Sequence, residues 1–213
     1  GTKWDLSFIN QNHTVTTTNT TAFPFGANQS GTDGNDSLVG QGIQDNISGF
    51  LGDDTIQGLG GDDSLHGGPG RDRIQGGNGA DAIDGSDDDD VLEGGKGNDD
   101  IDGGLGNDTF VFNLGDGSDS IYATGFNSKP DEKNIVQFGA GISKDDLIFS
   151  HASIYSGGGL KINIKGTQDQ LILSDYFLPK YDYAQKKYVT RSPYAKLLFN
   201  TGDFLTPEVV LAK

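Results

Sequence analysis

Residues 67–84 read Gly67-Gly68-Pro69-Gly70-Arg71-Asp72-Arg73-Ile74-Gln75, then Gly76-Gly77-Asn78-Gly79-Ala80-Asp81-Ala82-Ile83-Asp84. Both halves carry one pattern: Gly at the first, second and fourth places, Asp at the sixth and a large apolar residue at the eighth. Followed in both directions, the pattern keeps register over residues 31–111 as nine units of nine, without an insertion. The first place is Gly31, Gly40, Gly49, Gly58, Gly67, Gly76, Gly85, Gly94 and Gly103. The sixth is Asp36, Asp45, Asp54, Asp63, Asp72, Asp81, Asp90, Asp99 and Asp108. The eighth is Leu38, Ile47, Ile56, Leu65, Ile74, Ile83, Leu92, Ile101 and Phe110. The fourth is Gly in seven of nine units, with Ile43 and Asp88 as the exceptions. A flexible linker does not hold three registers at once, so the periodicity marks a repeat architecture.

The same stretch, from Gly31 to Val111, holds the net charge of the whole chain. It carries 18 Asp and one Glu against Arg71, Arg73 and Lys96, or −16; the rest of the chain has 12 acidic and 12 basic side chains, which cancel. It also holds 22 of the 34 Gly in the 213-residue chain. An anionic surface argues against a nucleic-acid partner, which needs clustered Lys and Arg. No apolar run approaches the length of a transmembrane segment. Zero Cys excludes disulfides, zinc-thiolate sites and thiol catalysis. The absence of Met and the leading Gly1 are expected of a processed chain or an excised piece.

The unit has a direct physical reading. Its first six places, rich in Gly, make a tight turn with positive φ angles, and the last three make a short strand with its central side chain turned inward. Two units form one coil, so turns alternate between two edges. One edge stacks Asp36, Asp54, Asp72, Asp90 and Asp108; the other stacks Asp45, Asp63, Asp81 and Asp99. Carboxylates about 4.8 Å apart repel by roughly 3 kcal/mol at an effective dielectric near 20. A hard divalent cation between successive turns reverses that sign. Calcium takes six to eight oxygens from carboxylates and carbonyls, whereas magnesium demands a tighter octahedron. The turn glycines expose the carbonyls: Gly49, Gly52, Gly58, Gly61, Gly67, Gly70, Gly76, Gly79, Gly94, Gly97, Gly103 and Gly106. Same-edge neighbours allow about seven such inter-turn calcium sites. The run Asp87-Asp88-Asp89-Asp90 either binds a cation through side chains or simply repels. One apolar side chain per short strand is too little to order this segment alone, so folding is expected to be coupled to metal.

The unit, Gly-Gly-x-Gly-x-Asp-x-apolar-x, resembles the RTX nonapeptide of secreted bacterial toxins, adhesins and hydrolases, a calcium-binding β-helix repeat. The resemblance implies an all-β fold, a right-handed parallel β-roll (a β-solenoid) with short β-rich flanking caps. It also implies export through type I secretion machinery to the extracellular space or the bacterial surface, with calcium ions as the cofactor.

Three regions are expected: a flank or cap strand over 1–30, the roll over 31–122 and a β-rich capping region over 123–213. Leu114-Gly115-Asp116-Gly117-Ser118-Asp119-Ser120-Ile121 reads as a tenth repeat displaced by a two-residue insertion, which adds Asp119 to the metal-ligating set. Short strands are expected at Ile135–Phe138, Leu147–Phe149, Leu160–Ile164, Leu171–Leu173 and Lys196–Phe199, separated by turn residues such as Gly139-Ala140-Gly141. Phe138-Gly139-Ala140-Gly141-Ile142 and Leu171-Ile172-Leu173-Ser174-Asp175-Tyr176-Phe177 are similar to segments that close the solenoid in RTX toxins and adhesins. The Tyr- and Lys-rich stretch from Tyr176 to Tyr194 departs from that pattern and reads either as cap core or as a surface for a host-cell receptor or glycan. Residues 1–30 are Thr- and Asn-rich, with one alternating stretch from Trp4 to Ile9. They read as a cap strand or the tail of a preceding domain.

No nucleophile elbow, Walker loop, dinucleotide fingerprint or zinc-protease helix motif occurs, and His13, His66 and His151 are the only histidines. The expectation is a non-catalytic calcium-binding module of a larger secreted protein. The alternatives are an adhesin or receptor-binding module, and the accessory domain of a secreted protease, lipase or polysaccharide epimerase.

Overall fold

The computed structural model describes residues 28–122, 133–154, 157–174, 179–182, 187–190 and 194–206. The Trp4–Ile9 stretch and most of the Tyr176–Tyr194 segment lie outside the described residues. Every regular element among the described residues is a strand. Through the repeats these are β1 (Asn28–Ser30), β2 (Ser37–Val39), β3 (Asn46–Ser48), β4 (Thr55–Gly60), β5 (Ser64–Pro69), β6 (Arg73–Asn78), β7 (Ala82–Asp87), β8 (Val91–Lys96), β9 (Asp100–Asp102) and β10 (Thr109–Phe112). Beyond them come β11 (Ser118–Tyr122), β12 (Asn134–Phe138), β13 (Leu147–Ile154), β14 (Gly157–Ile164), β15 (Gln170–Leu173), β16 (Pro179–Asp182), β17 (Lys187–Thr190), β18 (Tyr194–Phe199) and β19 (Phe204–Leu205).

Odd and even repeat strands go to opposite walls. One sheet runs β1-β3-β5-β7-β9-β11-β15-β14-β13 and the other β19-β18-β12-β10-β8-β6-β4-β2. Within the repeats all pairs are parallel and offset by two units, as in Ile47 opposite Leu65 and Ile56 opposite Ile74. The chain is thus a parallel β-solenoid of about five coils. Its core is two facing stacks of eighth-place side chains, Leu38-Ile56-Ile74-Leu92-Phe110 and Ile47-Leu65-Ile83-Ile101, all buried. The period-2 alternation of a strand turns the seventh and ninth places outward.

Strands are longer than the repeat unit alone implies. In the middle coils they run on through the first three places of the next unit, so the turn is confined to places four to six. The cause is the missing Cβ: successive coils keep their backbone pairing across the glycines, as in Leu59 opposite Gly77 and Gly77 opposite Gly95. At Gly79, with φ +136°, a Cβ would overlap the Gly61 carbonyl of the coil below. Gly79→Ala is therefore expected to lower stability in saturating calcium by about 2 kcal/mol or more, read as the urea midpoint, from left-handed strain and backbone overlap together. Phe50, Leu59 and Ser86 take positive φ at second places, as Gly68, Gly77, Gly95 and Gly104 do in other units.

The two-residue insertion is visible as register. Ile121 sits opposite Ile101, two places beyond the regular offset, and Phe112 enters the core. The sheets then run on without a break: β12 stacks parallel on β10, β15 on β11 and β18 on β12. Both end antiparallel, through β15-β14-β13 and β18-β19. All five strands expected after the repeats are found with longer ends, at β12, β13, β14, β15 and β18. Between the walls, Phe138 stacks on Phe199 with ring centroids 5.3 Å apart, and Phe112 meets Phe138 edge-on at 6.1 Å. Tyr194 is buried, its hydroxyl donating to the Ile121 carbonyl at 3.2 Å. Of the Tyr-rich segment, that residue belongs to the core.

Candidate metal centres along the roll

The sixth-place Asp residues form two continuous ladders at the edges of the roll. On one edge the Asp36 N–H donates to Asp54 Oδ1 at 2.7 Å, Asp54 to Asp72 at 2.8 Å, Asp72 to Asp90 at 2.8 Å and Asp90 to Asp108 at 3.1 Å. On the other, Asp45 donates to Asp63 at 2.7 Å, Asp63 to Asp81 at 2.8 Å, Asp81 to Asp99 at 2.9 Å and Asp99 to Asp119 at 3.1 Å. Each carboxylate thus reaches back one coil and fixes the spacing with one oxygen. The Asp108 N–H finds Asn134 Oδ1 at 2.6 Å, so an amide takes the next rung of the longer ladder. That residue carries no periodic signal, and nothing in its local sequence announces the role.

The second oxygen is the informative one. Oδ2 of Asp54, Asp63, Asp72, Asp81, Asp90 and Asp99 is buried and accepts no hydrogen bond. Each points at the first-place Gly of its own turn. At Gly58 a Cβ would meet both Asp63 Oδ2 and the Gly76 carbonyl, and at Gly76 both Asp81 Oδ2 and the Gly94 carbonyl, 2.5 Å away. The same pairing of carboxylate and next-coil carbonyl recurs at Gly49, Gly67 and Gly85. The fourth-place glycines Gly52, Gly61, Gly70, Gly79, Gly97 and Gly106 all take positive φ, and a Cβ on any of them would strike the backbone of the coil below. Glycine is favoured at the first place because oxygens converge there, and at the fourth because a Cβ would strike the backbone below.

Among the described residues no three acidic or histidine side chains enclose one ion. Carbonyls must therefore complete any shell, which is the donor mixture calcium accepts and soft metals do not. A buried carboxylate oxygen with no donor is costly, and a hard cation bound at the turn would offset that cost. The residues fit the ion.

The first two turns differ. Asp36 Oδ2 accepts the Thr32 N–H at 2.6 Å and the Thr32 hydroxyl at 2.9 Å, and Asp45 Oδ2 accepts the Gln41 N–H. Thr32 and Gln41 stand at second places where the best units have Gly. Internal donors there do part of what a cation does elsewhere.

Electrostatics follow burial. Loss of solvent pushes Asp63 and Asp72 up to about 6, Asp99 to about 7 and Asp90 to about 8, against the lowering effect of the backbone N–H each accepts; like charges in the column add to the rise. Asp54 and Asp81 are raised for the same first cause. A carboxyl raised in the folded state stabilises that state below its unfolded value, and the contribution is lost as pH rises through the folded value. The metal-free chain is therefore expected to gain β structure as pH is lowered from about 8 to about 5. Circular dichroism in chelator checks this; a signal flat with pH, or falling towards acid, counts against it.

Among the described residues no helix is long and apolar enough to cross a membrane. No curated protein matches the chain. Residues 30–65, 48–83 and 75–110 each match the family model described as RTX calcium-binding nonapeptide repeat, four copies.

Proposed function

With residues 30–110 established as RTX calcium-binding nonapeptide repeats, we propose that the chain is the calcium-gated folding module of a larger bacterial toxin or adhesin exported by a type I channel. The observation that carries this reading is the row of buried Asp oxygens without donors, each facing a first-place glycine of its own turn and, through most of the roll, the carbonyl of the next coil. Bound calcium supplies the positive charge that the two columns lack.

The rest is the work of the chain's own residues. The Oδ1 rungs set the coil spacing, and the glycines let carbonyl and carboxylate approach the same point. Without counter-charge, the desolvated carboxylates push the coils apart and the acidic chain stays extended, the form a narrow channel can thread. Extracellular modules bind calcium at about 10⁻⁴–10⁻³ M, so the same chain closes once outside, and closure opposes its return. The module has no catalytic part in this reading; its output is folding. Circular dichroism through a calcium titration, with magnesium as control, tests it: identical spectra in chelator and in calcium overturn it.

A further inference from the structure

The repeat turns are of two kinds, and the second place separates them. In the six turns that start at Gly49, Gly58, Gly67, Gly76, Gly85 and Gly94, the second-place residue has a positive φ: Phe50 +79°, Leu59 +77°, Gly68 +110°, Gly77 +119°, Ser86 +86° and Gly95 +101°. In those same turns Oδ2 of the sixth-place residue, Asp54, Asp63, Asp72, Asp81, Asp90 or Asp99, is buried without a donor. In the first two turns neither Thr32 nor Gln41 takes a positive φ, and there the second-place N–H donates to Oδ2 of Asp36 and of Asp45. The fourth place divides in the same way. Gly52, Gly61, Gly70, Gly79, Asp88 and Gly97 take positive φ; Gly34 and Ile43 do not.

The two properties belong together because φ sets where a residue's own N–H points relative to the turn. In one form the second-place N–H faces the carboxylate and brings the positive end of a dipole to it. In the other it is turned away and the oxygen stays open. The open form is not merely what glycine permits: Phe50 and Leu59 are large, exposed side chains held in a region strained for them. Nor is the closed form merely a lack of glycine. Gly34 is free to take positive φ and does not. Its N–H donates instead to the Thr32 hydroxyl at 3.2 Å, and that hydroxyl donates to Asp36 Oδ2 at 2.9 Å.

We infer that the turns Gly31–Asp36 and Gly40–Asp45 take no calcium, and that the first coil is set by the chain's own donors while the later ones are set by the ion. This rests on the reading of the repeats as calcium turns and departs from what their spacing leads one to expect of Asp36 and Asp45. A cation entering beside Asp36 Oδ2 meets an N–H and a hydroxyl proton already there, and binds only if both are displaced and the backbone turned over. The ion columns therefore begin at Asp54 and Asp63. The first coil joins them through the pairing of β2 with β4 and β3 with β5, and through the N–H groups of Asp36 and Asp45. Its order depends on calcium only at second hand, through the coil on which it stacks.

Native mass spectrometry of the full chain in saturating calcium tests this by counting ions. Asp36→Asn and Asp45→Asn keep an acceptor oxygen and remove the charge. Each is expected to hold as many calcium ions as the unmodified chain, with the calcium midpoint unmoved, whereas Asp72→Asn loses at least one ion. An ion lost from Asp36→Asn or Asp45→Asn overturns the inference. Thr32→Gly, and Gln41→Gly with Ile43→Gly, give the first turns the second- and fourth-place glycines of the turn at Gly76. Each is expected to gain one ion. A count unmoved by Thr32→Gly overturns the assignment of closure to the second place; if the double variant does not fold, this single variant decides. An unmodified chain that carries no calcium sinks the reading of the repeats instead, so the two failures are distinct.

Discussion

Removing calcium from the folded chain is expected to abolish most of the parallel β structure of residues 31–111. The repeats bury the eighth-place side chain of each strand, and the walls are otherwise mainly glycine and polar residues, with a few exposed apolar ones such as Val39 and Leu59. Against that small core stand two columns of desolvated carboxylates. Neighbours at the spacing of paired strands repel by roughly 3 kcal/mol per pair at an effective dielectric near 20; burial, with the like charges of the column added to it, raises Asp63, Asp72, Asp90 and Asp99. Charge and backbone are arranged so that a cation relieves both terms at once. A calcium titration should therefore give a steep rise in β signal, steep because each filled gap orders the coil that forms the next. Magnesium should need a much higher concentration, since it gives up water reluctantly and fits a carbonyl-rich gap poorly. A chain whose spectrum in excess chelator at neutral pH matches that in calcium is not held together in this way.

The second large effect separates the two oxygens of one residue. In Asp81, Oδ1 holds the rung to the Asp63 N–H at 2.8 Å while Oδ2 faces the Gly94 carbonyl without a donor. Asp81→Asn keeps the rung, as Asn134 does for Asp108 at the end of the other ladder. Its amide also places a donor beside the Gly94 carbonyl. Asp81→Ala removes rung and charge together and leaves a buried N–H unsatisfied, at a cost of about 1–3 kcal/mol. The calcium midpoint is expected to rise in the order unmodified, Asn, Ala. In chelator at neutral pH the order differs: the Asn variant should hold at least as much β structure as the unmodified chain, and the Ala variant less. Asp36→Asn serves as the control, because Thr32 already supplies two donors to Asp36 Oδ2. Equal midpoints for Asp81→Asn and the unmodified chain would show that the second oxygen holds no ion.

The period of nine could be read without a structure because it is a property of local chemistry. Gly79 and its equivalents from Gly52 onward take positive φ, Ile74 and its equivalents must face inward, and Asp must recur on one edge at every second unit; each requirement selects a residue type at a set place. The displaced unit that ends at Ile121 was legible for the same reason, since its Asp119 and Ile121 keep their mutual spacing after the insertion.

The division of labour within each carboxylate was not legible. One oxygen serves a backbone N–H a coil away and the other serves no donor, and the repeat pattern alone does not say that Thr32 closes Asp36 Oδ2 while Asp81 Oδ2 keeps no donor. Nor does Asn134 announce itself. It stands outside the period and reaches the longer column only because β12 stacks in parallel on β10. Strand length belongs to this second group too: the walls run through the glycines because neighbouring coils, absent from any local window, supply their hydrogen bonds. The repeat register is thus written in the chain, where each place answers to its own turn or core position. Which oxygens are left without a partner, and what closes the end of each column, depends on contacts between residues far apart in sequence, and these exist only once the coils are stacked.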